Sequence, residues 1–84
     1  MKIMKIRAKI KKCDDYSSNV IIHGLLDHLA LTVHNSIINE DQQSIKVEVI
    51  ASDERRLCIQ IAPEHIYTRL HGPDNLWISK SLEV

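Results

Sequence analysis

Residues 19–34 read Asn19-Val20-Ile21-Ile22-His23-Gly24-Leu25-Leu26-Asp27-His28-Leu29-Ala30-Leu31-Thr32-Val33-His34, and two periodicities compete within them. Ile22, Leu25, Leu26 and Leu29 recur at three- and four-residue spacing, the apolar stripe of an amphipathic helix. Val33 and Ile37 extend the stripe, so one helix over residues 18–38 is a possible reading. Against it, Leu29, Leu31 and Val33 alternate with Ala30, Thr32 and His34, which is the period of a strand. The run Thr32 to Ile38 also consists of mediocre helix formers, several of them β-branched. The balance predicts a short helix that ends near His28, followed by a strand. Just upstream, Cys13-Asp14-Asp15-Tyr16-Ser17-Ser18-Asn19 is rich in side chains that cap helix starts, and Asp14 and Asp15 suit the positive end of a helix dipole. The predicted helix therefore covers residues 13–28 and begins acidic.

Outward from this segment, the pattern is β-like. Met4, Ile6, Ala8 and Ile10 alternate with Lys5, Arg7, Lys9 and Lys11, a half-buried strand whose lysines would guard an open sheet edge. Ile45, Val47, Val49 and Ala51, then the turn Ser52-Asp53-Glu54-Arg55, then Leu57, Ile59 and Ile61 read as a hairpin. Pro63 interrupts the chain. Residues 65–70 suit a short helix (Ile66, Leu70) or a strand (Ile66, Thr68, Leu70) equally well. His71-Gly72-Pro73-Asp74-Asn75 is a turn, and Leu76 to Leu82 a last strand. The predicted class is mainly β with one N-terminal α-helix, a small Sm-like barrel or β-sandwich. The alternative, if both helical readings held, is a ferredoxin-like βαββαβ sandwich.

At 84 residues the chain is one domain, 1–84, comprising a basic arm (1–12), the acidic-start helix (13–28) and a β-rich body (29–84). No apolar run approaches the roughly 18–20 residues that span a bilayer, and the first residues lack the apolar core of a signal peptide. A cytoplasmic, monomeric protein with reduced Cys13 and Cys58 is expected. The zero net charge hides an asymmetry. Residues 1–12 hold six cations and no acid, whereas residues 13–84 hold five cations against eleven acids, a net −6. An acidic body repels nucleic acid and attracts basic proteins.

Few side chains point to chemistry. Among the five histidines, His23 and Asp27 would share a helix face, but no third ligand lies nearby in sequence, and His65 and His71 are remote. Neither a metal site nor a cofactor is expected. Cys58 reads as a small partly buried residue, and Gly24 and Gly72 stand too far apart for a phosphate loop. No catalytic constellation emerges, so an enzyme is not expected. Phe is absent, while Tyr16, Tyr67 and Trp77 are dispersed, which is poor equipment for stacking RNA bases. Trp77 reads as an anchor at the edge of the core. Direct nucleic-acid binding would fall to the basic strand, through Lys5, Arg7, Lys9 and Lys11.

The stretch Cys13-Asp14-Asp15-Tyr16, followed by His28-Leu29-Ala30-Leu31-Thr32-Val33, resembles the Rho-binding antiterminator (Rof/YaeO-like) family. Val47-Glu48-Val49-Ile50-Ala51, the Asp53-Glu54 turn, Leu57 to Ile66, and His71, Pro73 and Trp77 to Ser81 are similar to that family's later segments. The chain departs from the family pattern in residues 35–44, too short for the usual hairpin and extra strand, and in its basic arm. The resemblance implies a non-enzymatic inhibitor that occupies the RNA site of bacterial transcription termination factor Rho. Asp14 and Asp15 would then stand in for phosphates and Tyr16 would add an aromatic contact. Two rivals remain: a small RNA-binding module using the basic strand, and a generic interaction module of the immunity-protein or antitoxin type.

Overall fold

The computed structural model describes residues 2–84. From Lys2 onward the chain forms nine strands: β1 (Lys2–Arg7), β2 (Lys9–Lys12), β3 (Ser17–His23), β4 (His28–His34), β5 (Ile38–Asn39), β6 (Ser44–Ser52), β7 (Arg56–Gln60), β8 (Ile66–His71) and β9 (Leu76–Ser79). They pair antiparallel into two sheets. One has the order β1-β6-β7-β9 with β5 beside β6, and the other has the order β2-β3-β4-β8. A radius of gyration of 11.6 Å matches the roughly 12 Å of a compact single domain of this length.

The helix expected over residues 13–28 is absent. Single 3-10 turns at 35–37, 63–65 and 80–82 are the helical elements among the described residues, so the ferredoxin-like alternative fails as well. The competing period of two prevails from Ser17 onward. Ser18, Val20 and Ile22 are buried, while Asn19, Ile21 and His23 are exposed. Three consecutive β-branched residues favour extended backbone there. Leu25 and Leu26, counted in the helical stripe, occupy the β3–β4 turn instead, and Leu26 is fully exposed. The turn is closed by the Gly24 amide donating to the Asp27 carbonyl at 2.8 Å and is tied to the other sheet by the Leu25 amide donating to the Trp77 carbonyl at 2.9 Å. Each sheet covers the inner face of the other, so no helix is needed to bury either.

Elsewhere the strand readings hold, although burial follows the alternation only in part: Cys58 is buried together with Leu57 and Ile59, and Ala51 and Leu70 are exposed. Ile6, Ile22, Leu31, Ile45, Ile59 and Ile78 anchor an aliphatic core, each worth about 1.5–3 kcal/mol of burial. The β6–β7 hairpin forms around the Asp53 turn, and residues 66–71 take the strand alternative. The last strand stops at Ser79, where the Ser79 hydroxyl accepts from the Ser81 amide and caps a 3-10 turn. The N-terminal alternation is one pattern but two strands: Ala8 separates β1, on the edge of the first sheet, from β2, on the edge of the second. Both edges carry outward lysines, in keeping with a guarding role. No helix of the described residues is long and apolar enough to cross a membrane.

Candidate functional site

The residues expected to bind a partner lie in the β2–β3 turn. Instead of starting a helix, Asp14 organises this turn. Its Oδ1 accepts from the backbone amides of Tyr16 and Ser17, both at 2.8 Å, and from the Ser17 hydroxyl at 3.1 Å. These bonds, the Tyr16 amide first, hold the Asp14 carboxyl below its ordinary pKa and keep it ionised. A neighbouring segment reinforces the loop. Asn35 donates from its side chain to the Asp14 carbonyl at 3.0 Å and from its amide to the Tyr16 carbonyl at 2.9 Å. The Asn35 side-chain oxygen in turn accepts from buried Ser18. Asp15 and Tyr16 project outward from this braced turn, Tyr16 with 70% of its surface exposed. Capping and display thus divide between the two carboxylates, as in a helix start, but on a turn.

The four basic candidates are split between sheets. Lys5 and Arg7 face out from β1, and Lys9 and Lys11 from β2. Lys5 lies opposite Lys46 on β6, a like-charge pair, and Arg7 donates to the Ser81 carbonyl at 3.4 Å. Trp77 is not a core anchor: it lies on the outside of β9, 39% exposed, with the Arg56 guanidinium 4.6 Å from its ring centroid. Asp53 holds that guanidinium through bonds to Nε at 2.7 Å and Nη2 at 2.6 Å. Burial pushes the Cys58 thiol up, which favours its protonated, unreactive form.

One grouping escapes a linear reading. Asp27, at the end of the β3–β4 turn, and His28, the first residue of β4, meet His71 at the end of β8. Asp27 Oδ1 lies 3.3 Å from His71 Nε2 and 4.0 Å from His28 Nδ1, and the two imidazoles stack with centroids 4.3 Å apart. The pairing of β4 with β8 brings them together across 43 residues of intervening chain, as Ala30 lies opposite His71. The local signal was faint: each histidine adjoins a turn, but no spacing rule connects the two.

No family model matches the chain, and comparison with curated proteins and with solved structures finds no match either.

Proposed function

We propose that the chain is a small Sm-like barrel that acts without catalysis, in the cytoplasm and as a monomer, by binding transcription termination factor Rho at its RNA site. The braced turn carrying Asp15 and Tyr16 is the observation that supports this reading. A site evolved for RNA phosphates presents Lys and Arg, and a carboxylate held on a pre-ordered turn meets them at a smaller entropic cost than one on a mobile loop. Tyr16 adds a rigid aromatic beside the charge, of the kind enriched at interface centres. The barrel description draws on the C-terminus: Glu83 bridges back to Ile6, and the Val84 amide donates to the Lys5 carbonyl at 3.0 Å, so the first sheet curls toward its own edge.

Calorimetric titration into Rho, with and without a cytosine-rich RNA, tests the reading. The expected result is salt-sensitive binding that RNA blocks. Asp15→Asn should weaken it about tenfold or more, as loss of a close interfacial charge pair does. Asp14→Asn keeps an acceptor for the turn amides and separates turn order from charge. Binding of Asp15→Asn and Tyr16→Ala equal to that of the parent refutes the proposed contact, and no binding at low salt refutes the partner. A direct RNA-binding module is the second reading, favoured by one observation, the cross-strand Lys5–Lys46 pair, a like-charge contact that an anion would stabilise.

A further inference from the structure

We propose that Asp27, His28 and His71 form a binding site for a zinc-type divalent ion, with the fourth coordination position open to solvent. One ligand atom from each residue lies within 4.8 Å of the others. Tetrahedral zinc with bonds of about 2.0–2.1 Å sets its ligand atoms about 3.3–3.4 Å apart. The Asp27–His71 edge, at 3.3 Å, has that length already. The Asp27–His28 edge, at 4.0 Å, closes when the exposed His28 imidazole turns about its soft χ2 out of its stack on His71, because an ion must lie in the plane of each ring that ligates it. Two imidazoles and one carboxylate are a late first-row donor set; calcium and magnesium demand more oxygens.

The backbone around the cluster is built for close approach. The chain has two glycines, and both flank this corner. A Cβ on Gly24 would lie 2.7 Å from the Asp27 carbonyl, and one on Gly72 would lie 2.5 Å from the His28 carbonyl. Gly72 also has φ +107°, in the region that favours glycine, and directly follows His71. Together they let the β3–β4 turn and the end of β8 converge on residues 27–28. The carboxylate is oriented in advance, because Asp27 Oδ1 accepts from the His28 amide at 2.7 Å. An outer hydrogen bond of this kind is what positions a ligating carboxylate. The Asp27–His71 hydrogen bond holds two of the ligand atoms at the spacing that a shared ion requires.

The site stands apart from the acidic turn. β3 separates them by six residue steps, about 20 Å at roughly 3.3 Å per residue. Metal binding and partner binding therefore fail or succeed independently.

The experiment uses the full chain, purified metal-free without a histidine tag and titrated with zinc chloride by calorimetry and with cobalt chloride by visible spectroscopy. The expected result is one ion per chain, a raised melting temperature, and zinc-induced shifts of the His28 and His71 ring resonances with those of His34 and His65 unmoved. Asp27→Asn and His71→Ala should each lower affinity by about tenfold or more, while Cys13→Ser leaves it unchanged. Asp27→Asn retains an acceptor for the His28 amide, and the ring resonances need no variant, so a folding defect in His71→Ala does not blunt the test. Absence of saturable binding, shifts at other histidines instead, or loss of binding in Cys13→Ser overturns the proposal.

Discussion

Replacing Gly72 with alanine tests the corner where the two sheets, the β3–β4 turn and β8 meet. At φ +107° an L side chain is strained, which costs about 1–3 kcal/mol. The added Cβ would also lie 2.5 Å from the His28 carbonyl and 3.0 Å from the Leu29 Cα, so backbone must move; overpacking of this kind costs a further 1–3 kcal/mol or so. The Leu29 Cδ1, also at 3.0 Å, belongs to a fully buried side chain and has little room to give. A total of about 3 kcal/mol is a large share of the roughly 5–15 kcal/mol that stabilises a domain. It should lower the melting temperature by about 10–25 °C, at some 4–8 °C per kcal/mol for a chain of this size. Urea denaturation followed by far-UV circular dichroism and by Trp77 fluorescence measures it. A Gly72→Ala variant within about 0.5 kcal/mol of the parent, with an unchanged denaturant slope, would refute both the positive φ and the close approach.

Two further substitutions probe the chain at points where the sequence readings diverge. Leu26→Ser should change stability by no more than about 0.5 kcal/mol, because the side chain is fully exposed; a loss above about 2 kcal/mol in thermal denaturation would restore the amphipathic helix. Asp53 is held down to about 2 from 3.8, first by the Arg56 side chain and then by the Arg55 and Arg56 amides. Its contribution is complete above pH 3.8 and lost as pH falls through about 2, so the stability gap between parent and Asp53→Asn should narrow over that window. A gap constant from pH 5 to 2, measured by denaturant midpoints, would contradict it.

The β hairpin of residues 44–60 was legible because Ile45, Val47 and Val49 alternate with Lys46 and Glu48 and a turn sequence follows at Asp53; the register shift between Val49 and Ala51, and the burial of Leu57, Cys58 and Ile59 in a row, were not. The capping role of Asp14 was legible, since its carboxylate accepts from nearby amides whether a helix or a strand follows, but the segment was read as a helix start and is a turn between strands. The helix was misread because Leu25 and Leu26 fall at helical spacing by virtue of occupying a turn, where side-chain direction obeys neither period. The Asp27–His28–His71 cluster was not legible, because register between β4 and β8 depends on bulges at Ala30/Leu31 and Thr32/Val33 that leave no mark in composition.

Local chemistry therefore accounts for much of this protein: a β-rich chain, edge strands bearing lysines, an aliphatic core and an acidic segment whose Asp14 caps nearby amides. These follow from side-chain period, branching and capping, which act over a few residues. Which sheet each strand joins, the switch at Ala8 from one sheet to the other, and the meeting of Asp27 and His28 with His71 arise from long-range burial. Two half-apolar sheets gain most by covering each other, and that gain selects strand over helix where local preferences are nearly balanced.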